Sequence, residues 1–269
     1  MVLTSVIWDV QPEIISIGQF AVRWYGLLFA SGFVFGYFIM GNIFKKEKVP
    51  QKMLDTLTTY MVVGTVVGAR LGHCLFYEPA YYLADPIKIL KVWEGGLASH
   101  GAAIGILIAL WLFARKANKP YVWILDRIVI VVALAGFFIR MGNLMNSEIY
   151  GIETSLPWGF IFVRWNETVP KHPTQIYEGL SYLAIFVILF MLYRKKGLTL
   201  KPGVLFGFFL TVLFAMRFLI EFIKEPQVGF EETMALNMGQ ILSIPFILAG
   251  IYFLFLHARK QGGLVNKKG

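Results

Sequence analysis

Seven stretches of about twenty mostly apolar residues constrain the fold of this chain more than any other feature. A helix of that length crosses the hydrocarbon core of a bilayer, because each residue adds about 1.5 Å of rise. Charged residues make up only 15% of the 269 residues, against about a quarter in soluble globular proteins. The sequence therefore predicts an all-α, polytopic membrane helix bundle with seven transmembrane helices. The predicted spans are roughly residues 18–44, 54–77, 97–114, 121–140, 175–193, 203–222 and 238–257.

The positions of the Lys and Arg residues predict the orientation of the bundle. Most of those outside the spans follow the first, third and fifth spans or lie in the C-terminal tail. Because cytoplasmic loops carry an excess of Lys and Arg, we expect a cytoplasmic C-terminus and an external N-terminus. The net charge of +9 is then explained by topology and by attraction to anionic membrane lipid, and no nucleic-acid partner is predicted.

Polar side chains recur at one depth in six of the seven predicted spans, close to their outer ends. An isolated arginine near a helix end is more often an interfacial anchor, because its long side chain reaches the headgroups. The shared depth argues against that interpretation for the whole set, in which four arginines outnumber two carboxylates. The surplus positive charge indicates a bound anion, and a phospholipid phosphate is the nearest source. The set comprises Arg23, Tyr25, Arg70, His100, Arg140, Glu178, Arg217 and Glu221.

The sequence predicts chemistry without a metal or an organic cofactor. It contains no GxSxG, HExxH or P-loop motif, and its four histidines are scattered. Cys74 is the only cysteine, which excludes a CxxC pair and a thiolate zinc site within one chain. His100 is the best candidate for a general base, because it lies at a glycine-flanked entry into a helix where the imidazole is expected to be partly desolvated.

Glycines spaced four residues apart occur on the first three predicted spans. Such spacing places them on one helix face, where neighbouring backbones approach closely. This arrangement is structural by default and predicts tight helix packing without indicating any chemistry. The glycines are Gly32 and Gly36, Gly64, Gly68 and Gly72, and Gly101 and Gly105.

Six short motifs follow one another over nearly the whole chain. They are residues 23–26, 68–77, 95–101, 140–148 with Gly151, 172–178, and 217–222 with Pro226. The set resembles that of the prolipoprotein diacylglyceryl transferases, which lipidate the cysteine of bacterial lipoprotein precursors. The resemblance implies a seven-helix enzyme of the bacterial inner membrane with an external active site. It would transfer the diacylglyceryl group of phosphatidylglycerol to the lipobox cysteine of a prolipoprotein signal peptide, forming a thioether and releasing glycerol phosphate.

The resemblance also implies roles for individual residues. Arg140 and Arg217 correspond to the family's essential arginines and His100 to its important histidine, and these three are the expected catalytic residues. Several positions differ from the family's usual residues: Ile139, Ser147, Ala69 and Ala102 replace glycines, and Lys224 and Gln227 stand where Arg and Asp are common. The expected substrate-binding residues are Tyr25, Arg70, Asn143, Glu148, Gly151, Glu178 and Glu221.

Two other functional classes also fit some of these features. A phospholipid-binding protein or translocator would place arginines in the outer leaflet too. A translocator, however, requires polar groups at successive depths, and the inner half of the predicted spans offers little beyond Asp55, Asp126 and Arg127. An intramembrane protease would need a serine or aspartate signature that the sequence lacks.

The segment 142–171 is longer than most loops and carries Trp158, Trp165 and several turn-forming residues. Loops of that length without structure of their own are uncommon in compact domains. We therefore expect it to fold as a small periplasmic cap over the bundle.

Overall fold

The computed structural model describes residues 5–18, 20–226 and 234–257, most of which are helical. In this part of the chain, six helices are long and apolar enough to cross a membrane, which confirms the all-α membrane bundle. The predicted third span corresponds to an 18-residue helix with polar ends, so the count of seven is approximate. The helices are α1 Trp24–Lys46, α2 Gln51–Phe76, α3 Pro79–Ala84, α4 Ser99–Lys116, α5 Tyr121–Met145, α6 Thr174–Lys196, α7 Val204–Ile220 and α8 Met238–Ile251, which continues as a π-helix, Tyr252–His257.

Two pairs of short strands accompany the helices. Strand β1, Val6–Trp8, pairs in parallel with β4, Phe160–Phe162. Strand β2, Glu13–Ile17, pairs antiparallel with β3, Phe20–Arg23, and Gly18 between them has a φ of +60°. Residues 18–23 were predicted to begin the first span, and the structure corrects this start to Trp24. The short hairpin satisfies the backbone groups of this stretch before the helix begins.

Helix α5 extends five residues beyond the predicted end of the fourth span. Arg140 and Asn143 therefore lie inside a helix, three residues apart, and share one face. Their side chains form a hydrogen bond with each other along the helix, and this contact explains why the helix continues through the polar residues. The connecting segment, predicted to begin at residue 142, starts after Met145.

The chain divides into two compact units, and each is described by itself. The second unit, Met40–Leu125, consists mainly of α2 and α4 packed along each other. A Cβ added to Gly68 would lie 2.8 Å from the Cα of Gly105, so the two backbones approach as closely as the glycine spacing predicted. Nearer the other end of these helices, the buried rings of Phe44 and Phe113 stack 6.2 Å apart.

The first unit comprises the described residues of Met1–Ile39 and Asp126–Gly269. Within it, the buried Asp126 of α5 accepts hydrogen bonds from the backbone N–H groups of Gly203 at 2.7 Å and Phe206 at 2.9 Å. A carboxylate at these free N–H groups stabilises the start of α7. Asp126 thus has a structural role in joining two helices.

The connection between α5 and α6 is folded. Phe162 is fully buried, and the ring of Tyr150 stacks on it at 4.7 Å. Backbone hydrogen bonds join Thr154 N to Pro170 O at 2.8 Å and Phe160 N to Lys171 O at 2.9 Å. This folded connection therefore fixes the position of the polar end of α5 relative to that of α6.

Candidate active site

Arg140 of α5 is held by an ion pair and a hydrogen bond. Its Nε lies 2.6 Å from Oε2 of Glu178 on α6, and its Nη1 donates to Oδ1 of Asn143 at 3.2 Å. Only 13% of the arginine side chain and 1% of the glutamate side chain are exposed. A buried ion pair of this kind is costly to break, because removal of either partner leaves an uncompensated charge. The guanidinium is therefore fixed in orientation.

Asn143 links Arg140 to the turn that follows α5. Its Nδ2 donates to Oε1 of Glu148 at 2.7 Å, and the backbone N–H of Glu148 donates to the carbonyl of Asn143 at 3.0 Å. The amide of Gln175 on α6 donates to the carbonyl of Glu148 at 2.7 Å. Asn143 and Glu148 therefore support the arginine, and Gln175, which the sequence analysis did not single out, fixes the turn to α6.

Ser147 and Ile149 in this turn adopt left-handed backbone conformations, with φ of +56° and +62°. The Ser147 side chain is fully buried, and its hydroxyl has no hydrogen-bond partner among the described residues. A left-handed conformation strains every residue except glycine by about 1 kcal/mol or more. A glycine at position 147 would avoid this strain.

Glu178 and Glu221 share a second cation, Lys224. The Lys224 ammonium lies 3.1 Å from Oε1 of Glu178 and 3.3 Å from Oε2 of Glu221. We call Arg140, Asn143, Glu148, Glu178, Glu221 and Lys224 the Arg140 cluster. Sequence analysis treated Lys224 only as a departure from the usual arginine, although its place three residues after Glu221 was a signal of this contact.

Gly151 lies where two backbone segments meet. Its N–H donates to the carbonyl of His172 at 2.8 Å, and the N–H of Ile152 donates to the carbonyl of Ile223 at 3.0 Å. A Cβ added to Gly151 would collide with the Ile223 carbonyl and lie 2.8 Å from the Cβ of His172. Glycine is required because a side chain would push residues 223 and 224 away.

Arg217 of α7 differs from Arg140 in having no hydrogen bond or ion pair to any residue of the described parts of the chain. Its side chain is half-buried. Tyr182 of α6 interacts electrostatically with both Arg140 and Arg217. Tyr25 of α1 packs over Gly142, where an added Cβ would lie 2.8 Å from its ring, and interacts electrostatically with Arg140 and Glu148. The first unit thus contains one anchored guanidinium, that of Arg140, and one without a hydrogen bond or ion pair to the described residues, that of Arg217.

Arg70 of α2, in the second unit, is buried and bound by backbone carbonyls. Its Nε donates to Ile89 at 2.9 Å, its Nη2 to Lys88 at 2.6 Å and its Nη1 to Gly95 at 2.5 Å. The ring of Tyr82 lies 5.0 Å from the guanidinium carbon. We call this arrangement the Arg70 nest. It ties the irregular segment 85–98 to α2.

His100 is the second residue of α4 and also belongs to the second unit. It is exposed rather than partly desolvated, and it has no hydrogen-bond partner among the described residues. His73 packs between the rings of Tyr77 and Tyr82, while Nδ1 of His172 lies 3.3 Å from the hydroxyl of Tyr177. Of the three histidines whose side chains the structure describes, His100 is the exposed one.

Lys171 makes a second side-chain contact to the segment that follows α7. Its ammonium binds the carboxylate of Glu225 and lies 3.5 Å from Glu167, whose other oxygen accepts from the Tyr150 hydroxyl at 2.9 Å. Burial lowers the pKa of Lys171, but the two carboxylates outweigh it and raise the pKa above its ordinary value. Burial and the hydrogen bond to Glu167 raise the pKa of Tyr150. The lysine therefore stays charged, and the hydroxyl protonated, at neutral pH.

No group of three or more His, Cys, Asp or Glu side chains suited to a metal ion occurs in the described parts of the chain. The polar groups brought together in the first unit are instead arginine, lysine, glutamate and asparagine. Arginine and lysine side chains are charge-assisted donors of the kind that bind carboxylates and phosphates.

Comparison with known proteins gives a consistent result. A family model described as prolipoprotein diacylglyceryl transferase matches residues 12–256. A phosphatidylglycerol-prolipoprotein diacylglyceryl transferase of Tolumonas auensis is 52% identical over 255 residues, or 94% of this chain and 98% of that protein. Proteins of the same name from Porphyromonas gingivalis and Chloroherpeton thalassium are 48% and 45% identical, over 92% and 93% of this chain.

Proposed function

Because the chain belongs to the prolipoprotein diacylglyceryl transferase family, we propose that it lipidates bacterial prolipoproteins in the first step of their maturation. Its substrates are phosphatidylglycerol and the lipobox cysteine of a prolipoprotein signal peptide. The cysteine sulfur attacks the glycerol carbon that carries the phosphate ester. A carbon–sulfur bond forms, the carbon–oxygen bond breaks, and glycerol phosphate leaves with the electron pair. No cofactor is needed, because the lipid carries its own leaving group.

The observation that carries this proposal is the contrast between Arg217 and Arg140. Arg217 has no hydrogen bond or ion pair to the described residues, and Arg140, which interacts with the same Tyr182, is already fixed by Asn143 and Glu178. A lipid phosphate that binds to both would meet one donor held in place and one without a partner among the described residues. Guanidinium donors stabilise the charge that develops on the departing phosphate more than they stabilise the bound lipid.

His100 acts as the general base in this proposal. A cysteine thiol has a pKa near 8.5 and is mostly protonated at neutral pH, so a neutral imidazole that accepts its proton increases the reactive thiolate. The exposed ring of His100 is accessible to such a thiol. Tyr25 contacts the bound lipid, whereas Asn143, Glu148, Gly151, Glu178 and Glu221 contribute to binding by holding the arginines. Arg70 contributes by ordering the segment before α4.

We also propose that the protein lies in the bacterial inner membrane, with its C-terminus in the cytoplasm and the 142–171 segment as a periplasmic cap. The distribution of Lys and Arg supports this orientation. A cysteine introduced at Lys171 should react with an impermeant reagent from the periplasmic side, and one introduced at Lys196 should not. The opposite labelling pattern would reverse the topology.

Incubation of the purified protein with phosphatidylglycerol and a lipobox peptide tests the activity. Mass analysis should find the diacylglyceryl adduct on the peptide cysteine, and a peptide with serine in place of that cysteine is the matched control. If the folded protein binds phosphatidylglycerol but yields no adduct, it is a phospholipid-binding protein, and the transferase proposal fails.

A further inference from the structure

Lys224 lies between the carboxylates of two glutamates, one of which also pairs with Arg140. It is 7% exposed, and its ammonium binds one oxygen of Glu178 and one of Glu221. The other oxygen of Glu178 faces Nε of Arg140. Each oxygen of the buried Glu178 carboxylate is therefore occupied by a different cation.

Charge balance explains what Lys224 contributes. Two cations, Arg140 and Lys224, face Glu178 and Glu221, all of them largely buried, while Glu148, the third carboxylate of the Arg140 cluster, accepts a hydrogen bond from Asn143. Without Lys224, the excess of carboxylates over cations in the cluster would grow by one negative charge beside the guanidinium. A surplus negative charge opposes the binding of an anion at the same place.

The backbone of Lys224 is fixed independently of its side chain. We call residues 221–226 the strap. Gly151 forms a β-bridge with Lys224, and the neighbouring Glu225 is bound by Lys171. Since any side chain at Gly151 would collide with the Ile223 carbonyl, the glycine lets the strap approach closely enough for Lys224 to reach Glu178.

We propose that Lys224 is a positioning residue for Arg140, and that Gly151 acts by placing Lys224. Lys224 holds one oxygen of Glu178 so that the other orients Arg140, and it cancels the charge of Glu221. The lipid phosphate then meets a fixed guanidinium with less negative charge beside it. This inference rests on the proposed function, because the anion it concerns is the phosphate of phosphatidylglycerol.

The test compares four variants in the transfer assay, with the surface fraction of phosphatidylglycerol varied and activity normalised to folded protein. Lys224→Met should raise KM for phosphatidylglycerol on the order of tenfold, with a smaller fall in kcat, as expected for coupled neighbouring charges. Lys224→Arg should remain within about threefold of the wild-type protein, because the charge is kept. The double variant Lys224→Met with Glu221→Gln should have a lower KM than Lys224→Met alone, since it restores the charge balance.

Lys171→Met is the matched control. Lys171 is also a buried lysine that binds two carboxylates, Glu225 and Glu167, and it holds the same strap without touching Glu178. Lys171→Met should lower the unfolding temperature and leave KM for phosphatidylglycerol within about twofold of the wild-type value, since the β-bridge to Gly151 still places Lys224 and Lys171 makes no contact with the Arg140 cluster. If Lys224→Met does not fold, Lys224→Gln replaces it with the same expectation.

Three outcomes would overturn the proposal. An active wild-type protein whose Lys224→Met variant keeps the wild-type KM would remove the positioning role and leave the transferase intact. A double variant as impaired as Lys224→Met would reduce Lys224 to a packing role. An inactive wild-type protein would refute the transferase proposal, and this inference with it.

Discussion

The Arg70 nest and the Arg140 cluster each bury an arginine, but the groups that pair with the guanidinium differ in charge. Arg70 donates to neutral backbone carbonyls of residues 88, 89 and 95, and none of the carboxylates that the structure describes forms an ion pair with it. Arg140 binds the Glu178 carboxylate inside a network of paired charges. The first arrangement ties backbone segments together, whereas the second fixes the direction of a guanidinium.

The four arginines that the sequence places at one depth differ in the partners that the structure gives them. Arg23 pairs with Glu13 on the surface, Arg70 is bound by carbonyls and Arg140 by a carboxylate. Arg217 alone among these four arginines has no hydrogen bond or ion pair to the described residues. Within the first unit, Arg217 is therefore the arginine of this set without a described partner, whereas Arg140 is fixed by its neighbours.

The largest expected effect follows from substitution of Arg140. Arg140→Lys keeps the charge but loses the planar fork that contacts Glu178 and Asn143 together, and diacylglyceryl transfer should fall about a hundredfold. Arg140→Ala should be worse. Activity is measured per folded protein in the membrane. Near wild-type activity of Arg140→Lys would make Arg140 an interfacial anchor and leave Arg217 as the main phosphate ligand.

Substitution of Arg70 should affect stability more than chemistry. Arg70→Met leaves three part-buried backbone carbonyls without the guanidinium donor, which we expect to cost on the order of 3 kcal/mol in free energy of unfolding. Activity per folded molecule should fall less than it does for Arg140→Lys. The measurement is the unfolding transition in detergent, followed by the transfer assay on the folded fraction. A variant of normal stability and severely reduced activity would contradict the distinction between the two arginines.

A pair of glycine substitutions sharpens the same distinction. An added Cβ at Gly96 would lie 2.9 Å from Nη1 of Arg70, in a backbone with φ of +67°, whereas one at Gly151 would displace the strap. Gly96→Ala should therefore destabilise the protein by about 1–2 kcal/mol. Gly151→Ala should lower transfer activity per folded molecule by more than Gly96→Ala does. If both variants lost the same activity, the effect of Gly96 could not be assigned to the Arg70 nest alone, nor that of Gly151 to the strap alone.

The smallest expected effect is a gain. Ser147→Gly removes the left-handed strain and a buried hydroxyl without a described partner, and should raise the free energy of unfolding by about 1 kcal/mol. The measurement is the unfolding midpoint, with Asn166→Gly, an exposed left-handed residue, as the control for the backbone effect. A loss of stability would mean that the Ser147 hydroxyl has a partner, such as an ordered water.

The sequence by itself determined the membrane bundle, because apolar stretches of about twenty residues have no stable alternative outside lipid. It also predicted close backbone packing on the glycine faces of the first three spans, since glycines four apart lie on one helix face, and the structure shows such a contact between α2 and α4. It did not predict the hairpin before Trp24 or the extension of α5 to Met145. An apolar stretch shows where hydrocarbon can be crossed and not where a helix begins or ends.

For the candidate site, the sequence supplied the residue types and the family, and the tertiary structure decided the partners. No spacing shows that Arg70 would meet carbonyls 18 to 25 residues away, or that Arg140 would meet Glu178 on another helix. Lys224 received little weight because its contact with Glu178 joins the strap to α6. The charge and the length of a side chain are properties of one residue, so the sequence alone gives them. Pairing depends on which elements pack together, and only the folded chain determines that.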